Sequence, residues 1–196
     1  LRQLRDSELH NAAAFAHRGA CKTLTLVIPF HNEAPNFPAL VEAIDMYANA
    51  AARRWTVSVD AVFIDDGSTD GGLEELCAVV EKRRSGPAIR VLRLSRNFGK
   101  EVALAAGLDL VCADAVVMLD ADMQHPFSTV DEFIHGWLNE GYEVVYGVAA
   151  HGDEPPLKNT VRRLLNRVMN AHGETAITQD AGDFRLLSRR AYEALR

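Results

Sequence analysis

Cysteine is scarce in this chain. Cys21, Cys77 and Cys112 are odd in number, lie far apart and form no CxxC pair. That pattern argues against a disulfide framework or a cysteine-based zinc site, and reads as small buried hydrophobes in a reducing compartment. Basic residues are in deficit too: 21 Lys and Arg stand against 27 Asp and Glu, a formal net charge of −6. Such a balance argues against general nucleic-acid binding, which needs a basic face. It would also repel an anionic ligand unless a cation or a local basic patch intervened. Long apolar runs are missing, and none reaches the roughly 18 residues that span a bilayer. The opening LRQLRDSELHNAAAFAH is too charged to be a signal peptide. There is no internal repeat and no low-complexity tract. The absent initiator Met and the abrupt end at EALR lead us to expect a longer natural chain.

What is present is ordinary globular material. The 196 residues suffice for one domain with a sizeable core, and their 48% apolar and 24% charged content suits a folded chain in water. LTLVIPF (24–30) is a continuous apolar run and predicts a buried strand. Asn36 is placed to cap the next helix, whose apolar face carries Phe37, Leu40, Val41 and Ile44. VSVDAVFID (57–65) predicts a second strand, DGSTDGG a turn, and Leu73, Leu76, Cys77 and Val80 a second helical stripe. IRVLRL (89–94) is a third strand. GKEVALAAGLDLVC (99–112) is a helix whose small residues permit close packing, and AVVMLD (115–120) is a fourth strand. Pro126 opens a helix with Val130, Phe133, Ile134, Trp137 and Leu138 on one face, stopped by Gly141. EVVYGV (143–148) predicts a fifth strand, Leu157 to Val168 another helix, and DFRLL (183–187) a last strand, with HGDEPP (151–156) as a mobile loop.

Strands and helices alternate at βαβ spacing. The expected fold class is therefore α/β, a mostly parallel sheet with helices on both faces. In such sheets ligands bind at the carboxyl ends of the strands. The polar clusters fall there: PFHNE, DDGSTD, SRNFGK and DADMQ each follow one strand. Four polar loops at one edge predict a single site.

Within DADMQ, an extended chain would turn Asp120, Asp122 and Gln124 to the same side. Two carboxylates so close repel unless a proton or a cation lies between them. An all-oxygen set suits Mg²⁺ or Mn²⁺, which accept substrate phosphate oxygens as further ligands. Other sites fail on spacing. An EF-hand counted from Asp120 puts His125 at the sixth place and Asp131 at the twelfth. Gly99-Lys100 is followed by Glu101, which breaks a P-loop, and the first βα turn, Pro29 to Glu33, has no dinucleotide glycines. A haloacid-dehalogenase-like phosphatase also places D-x-D after a strand, but after the first one and with Thr or Val where Gln124 stands. His10, His17, His125 and His172 show no metal-ligand spacing.

Six segments in order, VIPFHNEAPN, VFIDDGSTDGG, LSRNFGKEVALAAGL, VVMLDADMQHP, YEVVYGV and DAGDFRLLSRR, resemble the bacterial polyprenyl-phosphate glycosyltransferases. These are inverting enzymes of glycosyltransferase family 2, with the Rossmann-like GT-A fold, related to dolichyl-phosphate mannose synthase. The resemblance covers residues 24–196 and leaves 1–23 as an N-terminal extension. It implies transfer of a sugar from a nucleotide diphosphate sugar, UDP favoured over GDP, to a polyprenyl phosphate. It implies work at the inner face of the cytoplasmic membrane, with Mg²⁺ or Mn²⁺ as cofactor and oligomerisation left open. It assigns Pro29, His31 and Glu33 to the nucleotide pocket and Asp66 to the base or ribose. Asp120, Asp122 and Gln124 fall to metal and diphosphate, with Asp122 also in a catalytic role. Asp183 and Arg185 fall near the transferred sugar and acceptor. Because a phosphate acceptor is already ionised, a strong general base is unnecessary; the enzyme must align it and offset its charge. Arg96, Lys100 and Arg185 are the candidates. Arg162, Arg163 and Arg167 read as the wet side of a helix or as a lipid-facing set.

One departure stands out. Relatives carry arginines after the VYG strand, where this chain has Val148, Ala149, Ala150 and His151. Lys158 or the later arginines are possible substitutes. Two other functions stay open: a non-catalytic nucleotide-sugar-binding relative, and transfer to a sugar hydroxyl with Asp183 as base. A turn role for Asp65 also stays open.

Overall fold

The computed structural model describes residues 21–147 and 184–196. Strand β1 (Lys22–Phe30) runs through the middle of a six-stranded sheet, and its residues from Leu24 onward are all buried. Strands β2 (Val57–Asp65) and β4 (Ala115–Met118) flank it in parallel, and β3 (Ile89–Arg93) pairs in parallel with β2. Beyond β4 lie β6 (Arg185–Ser188) and then β5 (Val144–Tyr146). β6 pairs antiparallel with both neighbours, so the sheet is mostly parallel with one reversed strand. That reversal puts Arg185 opposite Met118, at the edge where β4 ends.

Helices cover both faces, as the α/β pattern predicts. A 3₁₀ turn (Ala34–Asn36) leads into α1 (Phe37–Trp55). With α2 (Gly72–Lys82) and α4 (Phe127–Asn139), it covers the face carrying Leu24, Leu26 and Ile28. The other face, with Val27, Val62, Ile64 and Val116, meets α3 (Lys100–Asp109) and the short α5 (Arg189–Glu193). Alternate residues of β1 thus feed two cores, the period-two geometry of a strand buried on both sides. α3 lies close to the sheet because Gly107 has no side chain. A Cβ there would sit 2.7 Å from both Ile64 and Val27.

Several expectations shift. The first strand begins two residues early, at Lys22, and the fifth shortens to three residues. Asn36 holds the cap position of α1, but its side chain makes no cap bond. Its amide instead donates to Glu33 Oε2 at 2.6 Å. The cysteines are not buried: Cys21 and Cys112 are exposed and Cys77 is half-buried. Composition alone could not see that Cys21 precedes β1 and that Cys112 lies in the loop between α3 and β4. The helix at 157–168, the 151–156 loop, Asp183, Val148 to His151, Lys158, Arg162, Arg163, Arg167 and the N-terminal segment lie outside the described residues.

Candidate active site

At the carboxyl edge of β1 to β4 the four polar loops close round a cavity of about 300 Å³, the lower end of small-ligand sites. Pro29, Phe30, His31 and Glu33 line it from the first loop, Asp66 from the second, Asn97, Gly99 and Lys100 from the third, and Asp120, Ala121 and Asp122 from the fourth. Seven of the sequence candidates therefore share one cavity: Pro29, His31, Glu33, Asp66, Lys100, Asp120 and Asp122. Asn97 and Gly99, from the same SRNFGK cluster, are lining residues that the sequence pattern does not single out.

The loops are stitched to one another by side chain to backbone bonds. His31 Nδ1 lies 2.9 Å from the Asp66 carbonyl, and the Asn32 amide lies 3.2 Å from His31 Nε2. A carbonyl only accepts and the amide nitrogen only donates, so the ring carries its proton on Nδ1. The Asn32 N–H donates to Ser68 Oγ at 3.0 Å, and Asn32 Oδ1 accepts from the Thr69 N–H at 2.9 Å. Asn32 adopts φ 60° to make both contacts, a conformation that Asn tolerates better than most residues.

Asp65 and Asp66, both buried, have separate duties. Asp65 Oδ1 accepts from the Ser68 N–H at 2.7 Å, and its other oxygen lies 3.5 Å from Arg93 Nε. Asp65 is thus the turn residue. Asp66 reaches the third loop instead: Oδ1 accepts from the Phe98 N–H at 2.7 Å and Oδ2 from the Gly99 N–H at 2.9 Å. Gly67 makes this approach possible. It has φ +74°, and a Cβ on it would meet the backbone of Arg96 and Asn97 at 2.5 Å. Gly99 takes φ +94°, ψ 155°, open in practice to glycine alone, and there α3 starts with Lys100 as its first residue.

Lys100 then crosses to the fourth loop. Its Nζ lies 2.6 Å from Asp120 Oδ1, and His125 Nε2 lies 3.6 Å from Asp120 Oδ2. The His125 ring stacks on Phe184, with centroids 4.3 Å apart. This tie of His125 to Asp120 had no signal in the sequence spacing. The chain leaves β4 at Met118 and turns, with Met123 at φ 60°, so the extended row predicted through Gln124 is broken. Asp120 and Asp122 still line the cavity, whereas Gln124 is exposed and outside it. The backbone N–H of Gln124 donates to Asp122 Oδ1 at 3.0 Å. Arg96 is not in the lining either; its guanidinium lies 4.5 Å above the exposed Phe98 ring. Arg185 is half-buried at the start of β6 and also outside the lining.

Among the described residues no three His, Cys, Asp or Glu side chains gather into a metal cage. From its fourth loop the cavity instead takes two carboxylates, Asp120 and Asp122, and one of them already holds an ammonium. Two hard oxygen donors that favour positive charge fit Mg²⁺ or Mn²⁺, whose other positions go to water and phosphate oxygens. Among the described residues no helix is long and apolar enough to cross a membrane.

Solved structures that share this architecture include glycosyltransferases of the GT-A fold. A mannosyltransferase from Pyrobaculum calidifontis, in complex with GDP-Man and Mn²⁺, superposes with a TM-score of 0.61 at 18% identity, covering 96% of this chain and 53% of that one. Glucosyl-3-phosphoglycerate synthase from Mycobacterium tuberculosis, in complex with Mn²⁺, UDP and glucosyl-3-phosphoglycerate, gives 0.57 at 22% identity, covering 97% and 63%. At these identities the likeness is one of fold. In sequence, an undecaprenyl-phosphate 4-deoxy-4-formamido-L-arabinose transferase of Yersinia pestis is 31% identical over 163 residues, 83% of this chain and 46% of that protein. The chain spans about half the length of the curated relatives it matches. Residues 25–196 match one family throughout, and the chain belongs to glycosyl transferase family 2.

Proposed function

We propose that this chain is the catalytic domain, residues 24–196, of an enzyme that moves a sugar from a nucleotide diphosphate sugar to a polyprenyl phosphate, with inversion. The observation that carries the reading is the fourth loop. It sets Asp120 and Asp122 on the wall of a cavity that three other strand ends complete. Support for the acceptor comes from the Yersinia relative, named for undecaprenyl phosphate. Support for the donor comes from the fold neighbours, which hold GDP-Man or UDP with Mn²⁺. Between those nucleotides we favour UDP.

In this reading Pro29, His31 and Glu33 shape the nucleotide end of the cavity, and Asp66 fixes its third loop. Asp120 and Asp122 would hold Mg²⁺ or Mn²⁺, which would supply positive charge against the departing diphosphate. Lys100 adds a positive group on the same side. Gln124 stands exposed outside the lining, and its backbone N–H orients Asp122. The polyprenyl phosphate brings its own anionic oxygen. The protein's task is to align that oxygen behind the anomeric carbon and offset its charge. Asp183 and Arg185 are assigned to that end, and Arg96 supplies a surface cation beside the third loop. The work is proposed to occur at the inner face of the cytoplasmic membrane.

Titration calorimetry with a UDP-sugar, in the presence and absence of Mn²⁺, tests the reading. Asp122→Ala is expected to abolish the metal-dependent part of binding while the far-ultraviolet spectrum stays native. Equal affinity in variant and wild type counts against the metal role.

A further inference from the structure

We propose that Lys100 is the resident cation of Asp120, and that a divalent ion and a diphosphate displace it together more readily than the ion does alone. The inference rests on the donor reading above and adds an order to it. It starts from the 2.6 Å contact between Lys100 Nζ and Asp120 Oδ1. Both side chains are part-exposed, 39% and 29%, so water and ions reach the pair.

The position of Lys100 is set from behind. Asp66 anchors the backbone N–H groups of Phe98 and Gly99, the two residues just before it. Gly67 packs against the same loop with no room for a side chain. The base of the lysine stem is therefore fixed beside the cavity, and its ammonium is delivered to the carboxylate that a metal would use. His125 stands 3.6 Å from the second oxygen of that carboxylate.

A dication at Asp120 and Asp122 would lie a few ångströms from this ammonium. Their repulsion, even in high dielectric, weakens binding of the bare ion about tenfold. A nucleoside diphosphate changes the balance, because its oxygens accept the ammonium and the metal at once. Lys100 then exchanges a carboxylate for a phosphate with little net loss. Metal and nucleotide thereby strengthen each other's binding, and by linkage the factor is the same in both directions. An acidic protein gains from this arrangement, since its carboxylates stay neutralised until the anionic substrate is at hand.

The test measures free Mn²⁺ by electron paramagnetic resonance, with no turnover involved. Mn²⁺ is titrated into wild type, Lys100→Met and Lys100→Gln, alone and then with UDP, with GDP in parallel. Both variants are expected to bind Mn²⁺ alone about tenfold more tightly than wild type. The strengthening of Mn²⁺ binding by nucleotide is expected to shrink by a similar factor. Unchanged or weaker Mn²⁺ binding in both variants overturns the proposal, as does undiminished coupling. Asp122→Ala separates the two levels of the account. If it binds Mn²⁺ as wild type does, the metal reading fails and the proposal with it. If it loses Mn²⁺ while the Lys100 variants match wild type, only the Lys100 role fails.

Discussion

Replacing Asp66 by asparagine asks how the third loop is held. The carboxylate is 4% exposed and accepts two backbone N–H groups, from Phe98 at 2.7 Å and Gly99 at 2.9 Å. A hydrogen bond to an ionised acceptor contributes about 1.5–3 kcal/mol. Asparagine keeps one oxygen but turns an NH₂ group, itself a donor, toward the other N–H. One bond is lost outright and the second becomes neutral, so the expected loss is about 2–3 kcal/mol. For a chain of this size that lowers the melting temperature by roughly 4–12 °C. The local readout is sharper. Hydrogen exchange of the Phe98 and Gly99 amides should quicken about 30-fold or more, since each 1.4 kcal/mol is a factor of ten. Donor affinity should fall without a change in the preference between uridine and guanosine. If both amides keep their protection while base preference collapses, Asp66 reads the base directly and the anchoring argument is refuted.

Other consequences are quicker to state. Asp131 on α4 accepts from Trp55 Nε1 at 2.8 Å, Tyr47 Oη at 3.3 Å and Arg54 at 2.7 Å, tying α4 to α1. Burial first, and the Asp131 charge second, push the Tyr47 hydroxyl far up, so it stays a donor at every working pH. Asp131→Ala should cost about 2–3 kcal/mol in urea unfolding and alter Trp55 fluorescence; a loss under about 0.5 kcal/mol would show the hub to be idle. Asp114 behaves differently. Burial raises its carboxyl, but the Thr23 N–H and hydroxyl, Lys22 and Arg189 outweigh this and hold it below the ordinary aspartate range. A depressed folded-state pKa means stability present above the ordinary value of about 3.9 and lost as pH falls through the lower one. The gap in denaturant midpoint between wild type and Asp114→Asn should therefore narrow from about pH 5 to pH 3; a constant gap contradicts the assignment.

Much of this could be read from the sequence, for a definable reason. Apolar runs such as LTLVIPF and stripes such as Phe37, Leu40, Val41 and Ile44 are local patterns, and burial follows them. Once the strands were placed, topology alone put four polar loops on one edge, and seven candidates do line one cavity. What could not be read is long-range or directional. The reversal of β6 shows only in its pairing with β4 and β5, which its own residue pattern does not encode. The bonds from Asp66 to Phe98 and Gly99 span 32 and 33 positions. The DADMQ row breaks before Gln124 because the extended strand ends at Met118 and a turn follows, with Met123 at φ 60°.

The central claim is that Asp120 and Asp122 grip a divalent ion that in turn holds a diphosphate. Anomalous diffraction from crystals soaked with UDP and Mn²⁺ addresses it without intermediaries. The account predicts one manganese peak about 2.1 Å from an Asp122 oxygen and in contact with the diphosphate. A peak elsewhere, or bound UDP with no manganese beside those carboxylates, would contradict it.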